Sequence, residues 1–191
     1  LEWVYALTPE FVQEARKIVG SVGGAISGQT QDETAAVRGL DGAPAKSHGA
    51  NYYGCANNPR FWDFQWRQIK RALAAGADTN QQDEPEYGFY VQHCYCDHCV
   101  REFRAWLKGL APAELKSLGV GDVEAFNYRD LVQGKGASKE LAAQWQAFKT
   151  RRLHDFHLRM RDEQRRYKPD FGPYTCNNSS FQKYGPLYET F

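Results

Sequence analysis

Three cysteines within six residues, Cys94, Cys96 and Cys99, are the side chains of this sequence best placed to do chemistry together. The spacing C-x-C-x-x-C puts three sulfurs on a tight turn followed by a helical turn, where each can reach one ion at about 2.3 Å. Thiolates suit a soft ion that prefers tetrahedral coordination, such as zinc. The pattern therefore predicts a metal site. Its alternative is a set of reduced thiols, or a disulfide beside a spectator cysteine.

A tetrahedral site needs a fourth ligand, and Cys55 is the first candidate. Cys55 follows one predicted strand and precedes a predicted helix, and in α/β folds such loops gather at one rim. His93 and His98 are alternative ligands. Four thiolates would leave no open coordination position, so the ion would be structural and not catalytic. The fifth cysteine, Cys176, is expected to be a small buried side chain.

A second cluster lies just upstream of the three cysteines, where Asp83, Glu84 and Glu86 place three acids within four residues. They follow a predicted strand, and barrel enzymes carry their catalytic groups at the carboxyl ends of strands. Neighbouring carboxylates raise one another's pKa, which can keep one of them protonated near neutral pH. Such a general acid can protonate the oxygen that leaves a sugar. The alternative is a solvated acidic loop.

The composition narrows the possible partners. The 191-residue chain has 24 basic and 23 acidic residues and a formal net charge of +1, so no overall field attracts nucleic acid. No apolar run approaches the roughly 18 residues that a membrane span needs. We therefore predict a globular protein without a nucleic-acid or membrane partner. A cytoplasmic location is favoured, with export expected if a signal preceding Leu1 was removed.

Helix and strand signals alternate along the chain. Thr8 before Pro9, Asn58 before Pro59, and Ser138 are typical helix starts. The predicted elements are helix 9–19, ended by Gly20 and the pair Gly23-Gly24, strand 25–28, loop 32–57, helix 59–75 capped by Gly76, strand 77–82, a helix capped by Asp97 and ended by Gly109, an irregular stretch 110–137, helix 139–167 and strand 172–177.

This order predicts the fold class. The strands are short and buried, without clean alternation, which indicates parallel strands with helices packed outside. We therefore predict an α/β protein that forms a portion of a (β/α)8 TIM barrel. A complete barrel takes about 200 residues or more, and only three or four strands are predicted here. Residues 1–191 are thus expected to be one incomplete segment of a larger catalytic barrel.

Three motifs together resemble glycoside hydrolase family 42, the β-galactosidase-like barrels. They are Cys55-Ala-Asn-Asn-Pro59, Asp83-Glu-Pro-Glu-Tyr-Gly88, and Cys94-Tyr-Cys-Asp-His-Cys99 followed by Val-Arg-Glu-Phe-Arg-Ala-Trp-Leu107. The likeness covers roughly residues 50–107, in matching order and spacing. It implies a retaining glycosidase that acts on oligosaccharide or polysaccharide-derived glycosides, and family members often form homo-oligomers.

The resemblance also implies roles for single residues. It makes Cys55, Cys94, Cys96 and Cys99 the ligands of a structural zinc, beside an acid/base glutamate. Where this chain has Asp83-Glu-Pro-Glu-Tyr-Gly88, the family pattern is Asn-Glu-Tyr-Gly. Either Glu84, which matches its Asn-Glu, or Glu86, which matches its Glu-Tyr-Gly, is therefore the donor.

We prefer Glu84 as the donor, because Asp83-Glu84-Pro85 is similar to the Asn-Glu-Pro of related barrel glycosidases. Asp83 can then accept the hydrogen bond of a sugar hydroxyl. Asn51 stands where the family tends to have a sugar-contacting Arg, so galactose specificity is not implied. The segment Tyr174-Thr-Cys-Asn-Asn178 is similar to the family more loosely, and Asn178 at its end is a further substrate-binding candidate. The nucleophile is expected outside this segment.

Two other functions compete with this one. A zinc-stapled nucleic-acid-binding module would use the basic residues of the long helix to follow phosphates. These residues are Lys149, Arg151, Arg152, Arg159, Arg161, Arg165, Arg166 and Lys168. They alternate with apolar residues as on any outer barrel helix, which favours the glycosidase. The other competitor is a carbohydrate-binding barrel without catalysis.

Overall fold

The structure of the chain, a computed structural model, describes residues 2–4, 7–83, 94–170 and 174–177. The strands are β1 (Glu2–Val4), β2 (Val22–Ser27), β3 (Gln29–Thr30), β4 (Tyr52–Tyr53), β5 (Thr79–Asp83) and β6 (Tyr174–Asn177). The helices are α1 (Pro9–Arg16), α2 (Pro59–Ala74), α3 (Asp97–Leu107), α4 (Pro112–Ser117), α5 (Tyr128–Gly134) and α6 (Lys139–Tyr167), with a short 3-10 helix at Glu33–Ala35.

Within the described residues, four strands form one parallel sheet in the order β1-β2-β5-β6. Neighbours in the sheet therefore follow one another along the chain, and helices lie in the connections between them. Parallel strands need such crossovers because a tight hairpin cannot join them. The predicted mixed α/β fold with a parallel sheet is confirmed.

The helix starts follow the cap signals. The side chains of Thr8, Asn58 and Ser138 each accept a hydrogen bond from a backbone N–H in the first turn of α1, α2 and α6. These bonds satisfy donors that have no partner within the helix. One start differs from the prediction, since α3 begins at Asp97 itself and its N-cap is Cys96.

The predicted end of the first helix was wrong. Helix α1 ends at Arg16, and Gly23 and Gly24 lie inside β2. A Cβ on Gly24 would come within 2.8 Å of the Cβ of Ala72 on α2. Gly24 therefore does not end a helix. It allows α2 to pack closely on the sheet.

The two stretches that were predicted as irregular contain short elements. Residues 110–137 hold α4 and α5, and the loop 32–57 contributes β4, which pairs antiparallel with β3. Strand β1 was not predicted either. Elements this short carry too few residues for a periodic apolar stripe, so their order comes from tertiary contacts such as the burial of Tyr128.

Two hydrophobic clusters make up most of the core. We call the first the cysteine region; its buried members are Val37, Tyr53, Cys55, Cys94, Cys96, Cys99, Phe103, Leu107, Val120, Tyr128, Leu141, Trp145, Phe148 and Leu153. We call the second the sheet region; its buried members are Ile26, Ala35, Phe61, Trp62, Ile69, Ala72, Leu73, Ala77, Phe156 and Met160. Helix α6 contributes to both, with its first half in the cysteine region and its second half in the sheet region.

No helix in the described part of the chain is both long enough and apolar enough to cross a bilayer.

Candidate metal centre

The cysteines come from two connections of the parallel sheet. Cys55 lies between β4 and α2, in the connection from β2 to α2, whereas Cys94, Cys96 and Cys99 lie in the connection that follows β5. A backbone hydrogen bond joins the two connections, since the N–H of Tyr95 donates to the carbonyl of Arg38 at 2.8 Å. Residues distant in sequence are thereby held at one place.

The four sulfur atoms all lie within 4.8 Å of one another. The Sγ of Cys55 is 3.6 Å from that of Cys96 and 3.5 Å from that of Cys99. A tetrahedral ion with bonds of about 2.3 Å would place its sulfurs about 3.8 Å apart, close to these distances. All four cysteines are free and buried, which excludes a disulfide among them. These four residues, the cysteine cluster, can therefore hold a metal ion.

The thiols of the cysteine cluster differ in acidity. Hydrogen bonds from the other three thiols lower the pKa of Cys96, whereas burial raises the pKa of Cys55 and of Cys99. Cys96 also caps the positive end of α3, which favours a thiolate there. The first thiolate should therefore form at Cys96. A metal that recruits the other sulfurs must displace their protons, so its affinity will fall as the pH falls.

Among the described residues, N–H groups of Arg38 and Asn57 approach the sulfurs from outside the cysteine cluster. The backbone N–H of Arg38 donates to the Sγ of Cys94 at 3.4 Å. The side-chain amide of Asn57 donates to the Sγ of Cys99 at the same distance. Such bonds stabilise the negative charge of a thiolate and fix its direction. Asn57 lies within the motif Cys55-Ala-Asn-Asn-Pro59, but the sequence pattern gave neither Asn57 nor Arg38 a role at the sulfurs.

Lys149 on α6 is fully buried near the cysteine cluster. Burial lowers its pKa to about 8, while the charges of Cys99, Cys94 and Cys55 act in the opposite direction. The sequence suggested this lysine only as part of a basic helix face. Four thiolates around a divalent ion would leave a net charge of −2. In the fold, Lys149 supplies a positive charge near this site.

The alternative ligands are not part of this group. His98 lies on α3, where its Nδ1 is 3.0 Å from Nη2 of Arg101. Among the described residues, the group of possible metal ligands contains the four cysteines and no histidine. His93 lies outside the described residues. Cys176 is part of β6, paired in register with Gln82 of β5.

The predicted catalytic cluster is described only at its first residue. Asp83 is the last residue of β5, and its register partners are Ser27 of β2 and Asn177 of β6. The prediction that an acid stands at the carboxyl end of a strand is thus confirmed for Asp83. Glu84, Glu86 and Asn178 lie outside the described residues, so their predicted roles stay predictions.

Asn51 is half-buried and lines a cavity of about 520 Å³. The cavity runs along β2 from Gly24 to Ser27 and on to Gln29, and side chains of α2 such as Phe64 also line it. Ser27, in this lining, is paired in register with Asp83, the last residue of β5. Asn51 therefore lines a cavity that reaches Ser27, the register partner of Asp83.

The basic residues of α6 have partners within the fold. Arg151 pairs with Asp155 at 2.9 Å, and Arg166 pairs with Glu163 at 2.9 Å. The guanidinium of Arg159 lies 3.6 Å from the ring centre of Trp62, close enough for a cation–π interaction. These interactions engage part of the positive charge of the helix, although the side chains of Arg151 and Arg166 stay largely exposed.

No protein-family model matches this chain, and a search of curated proteins finds no match either. The function must therefore be inferred from the cysteine cluster, the parallel sheet and the cavity beside it.

Proposed function

We propose that this chain is part of a (β/α)8 glycoside hydrolase, in which Glu84 is the general acid/base and the cysteine cluster holds a structural zinc. A parallel sheet whose strand order follows the chain supports the barrel, because barrel strands are added one after another with a helix between. The motifs that resemble glycoside hydrolase family 42 support the reaction.

One observation carries the proposal. The cysteine cluster joins the connection after β2 to the connection after β5, and these strands are neighbours in the sheet. Connections that follow the carboxyl ends of parallel strands form the active-site face of a barrel. A zinc ion bound there by four thiolates would hold two rim loops together, beside the residue that follows Asp83.

The chemistry assigned to this edge uses two protonation states of one carboxyl group. Glu84 protonates the oxygen of the leaving sugar, and its carboxylate then activates the water that completes hydrolysis. Asp83, Asn51 and Asn178 contact the substrate in this proposal. The nucleophile is a second glutamate outside residues 1–191, and the sugar is bound in the cavity at the end of β2.

The zinc is tested by elemental analysis of the purified protein after exhaustive dialysis. We expect about one zinc per chain, as in closed sites of four cysteines. Cys96→Ser should abolish stoichiometric binding, because the remaining three thiolates leave the tetrahedral shell open. A folded wild-type protein without metal would refute the zinc site and leave the glycosidase to be judged on activity alone.

The acid/base role is tested in the complete protein with Glu84→Gln, and Glu86→Gln is the matched control. Glu84→Gln should lower turnover of a glycoside with a poor leaving group by roughly 100-fold or more, because a general acid is lost. A dinitrophenyl glycoside needs no protonation to leave, so its cleavage step should be affected far less. The opposite ranking of the two variants would transfer the role to Glu86.

Nucleic-acid binding fits the geometry less well. Lys149 is buried, and Arg151, Arg159 and Arg166 have partners within the fold. Phosphate recognition would require such side chains to leave these partners. Salt-sensitive retention on a DNA column would favour the nucleic-acid binder. Sugar binding by a protein that turns over no glycoside would favour the barrel without catalysis.

A further inference from the structure

The amide of Asn57 connects a sulfur of the cysteine cluster to an arginine of α6. Its Nδ2 donates to the Sγ of Cys99 at 3.4 Å, and its Oδ1 accepts from the Nε of Arg152 at 2.8 Å. The chemistry of the two neighbours fixes this orientation. A guanidinium can only donate, so the amide oxygen must face Arg152 and the NH2 group must face the sulfur.

Arg152 is itself held in place. Its Nη2 lies 3.7 Å from Oε2 of Glu102, which belongs to α3, and its Nη1 lies 3.9 Å from Oδ2 of Asp155. The guanidinium of Arg152, on α6, thus contacts Glu102 of α3, Asp155 of its own helix, and Asn57, two residues after Cys55. These contacts surround a cavity of about 380 Å³, so water can reach Arg152, whereas Cys99 is fully buried.

The amide of Asn57 binds Arg152 at its oxygen and Cys99 at its nitrogen, and this arrangement has a direct electrostatic effect. Arg152 polarises the amide of Asn57, because a positive group bound to the oxygen makes the NH2 hydrogens more positive. The donor that faces Cys99 is therefore stronger than an ordinary amide. A hydrogen bond to a metal-bound thiolate lowers the electron density on sulfur and opposes its protonation or alkylation.

We propose that Asn57, oriented by Arg152, is a positioning residue that stabilises the metal-bound thiolate of Cys99 and slows the loss of the ion. This inference rests on the zinc site proposed above. It gives a role to two residues, 95 positions apart in the chain, that are not ligands themselves. The two contacts assign different parts to them, since Asn57 acts on the sulfur and Arg152 acts only through Asn57.

The decisive substitution is Asn57→Asp. It keeps the shape of the side chain and an acceptor for Arg152, but replaces the donor to Cys99 with a carboxylate oxygen. We expect zinc affinity, measured by competition with a chromophoric chelator, to fall about 10- to 100-fold, the usual effect of losing an outer-shell partner. Asn58→Asp is the control for charge, because it introduces the same charge one residue away, on a buried side chain that caps α2 and loses, like Asn57→Asp, one N–H donor, here to the carbonyl of Thr34.

Cobalt(II) in the place of zinc gives a readout that a merely structural role would not change. Without the hydrogen bond from Asn57, the electrons of the sulfur are less tightly held, so the sulfur-to-cobalt charge-transfer band should move to longer wavelength. Arg152→Met should cause a smaller shift of the same sign, and Asn58→Asp should leave the band in place. Asn57→Leu removes the donor without adding charge and covers the case in which Asn57→Asp does not fold.

The outcomes separate the two proposals. If the wild type binds zinc, and Asn57→Asp, Asn57→Leu and Arg152→Met all keep its affinity and its cobalt spectrum, the role of Asn57 is refuted while the zinc site stands. If the folded wild type binds no zinc, the metal proposal fails and the inference fails with it. Weaker binding with a shifted cobalt band in the Asn57 variants, and normal behaviour of Asn58→Asp, supports both.

Discussion

The cysteine region and the sheet region are cores of different kinds, although α6 packs against both. The clustered residues of the sheet region are apolar, with buried polar side chains such as Gln65 and His157 beside them, and α2 lies on the strands closely enough to require glycine at position 24. The cysteine region has four thiols at its centre, and aromatic side chains around them. The first core is complete without a ligand. The second encloses polar groups whose best partner is a metal ion.

This difference predicts that the two regions have different sources of stability. Apolar burial stabilises the sheet region under all conditions in which the chain folds. The cysteine region would gain its stability from metal binding, since the binding energy of a structural metal is also folding energy. The helices α3 and α5 lie in the cysteine region, so their stability should depend on the ion, whereas that of β2 and α2 should not.

Removal of the metal should therefore have the largest effect. Structural zinc can supply on the order of 10 kcal/mol in small domains, more than most single side chains contribute. A chelator should expose the amides of α3 and α5 to hydrogen exchange while β2 and α2 keep their protection. The measurement is exchange followed by mass spectrometry, with zinc added back as the control. Equal loss of protection in both regions would contradict the comparison.

Truncation of one buried phenylalanine in each region should sharpen the same comparison. Phe103 and Phe61 are both fully buried. The ring of Phe103 lies 4.8 Å from that of Trp145, whereas that of Phe61 stacks on Phe156 at 5.8 Å. Each change to alanine should cost about 3–5 kcal/mol through lost contacts and a cavity.

The two truncations should act in different places. Phe103→Ala should weaken zinc binding and lower exchange protection in α3. Phe61→Ala should lower protection in β2 and α2 and should weaken zinc binding less, through the packing of its ring on Gly54, the neighbour of Cys55. Denaturant unfolding with zinc and with chelator separates the two effects. Identical profiles for both variants would mean that the two clusters unfold as one unit.

Local patterns predicted the parts of the cysteine region that depend on spacing. The sequence C-x-C-x-x-C predicted three sulfurs at one place, and the fold adds Cys55 as expected. Cap residues such as Ser138 predicted where helices begin, because a cap acts on its own first turn.

Contacts between distant residues could not be predicted in this way. Asn57 meets Arg152 and Cys99 only because two connections and α6 come together, and no periodic pattern records that meeting. Gly24 was interpreted as a helix stop for the same reason, since its neighbour Ala72 is far along the chain. The acid/base role of Glu84 is still a prediction from motif and strand position.

The smallest of these effects is a loss of stability in acid. It comes from the half of α6 that packs in the sheet region. His157 is fully buried, and burial, helped by the charge of His154, lowers its pKa to about 3 from an ordinary value of 6.5. The unfolded chain therefore takes up a proton at a pH where the folded chain does not. The contribution of His157 to stability is complete above pH 6.5 and is lost as the pH falls towards 3. At pH 5 the loss should be about 2 kcal/mol.

The test uses His157→Gln, which cannot titrate but can still donate and accept hydrogen bonds. Chelator is present throughout, because acid would also release metal from the cysteine cluster and obscure the effect in the wild type. The free energy of unfolding of the variant should fall less than that of the wild type between pH 7.5 and pH 5. His48→Gln, at an exposed position, should behave as the wild type does. If His157→Gln loses as much stability as the wild type, the acid sensitivity does not come from this buried imidazole.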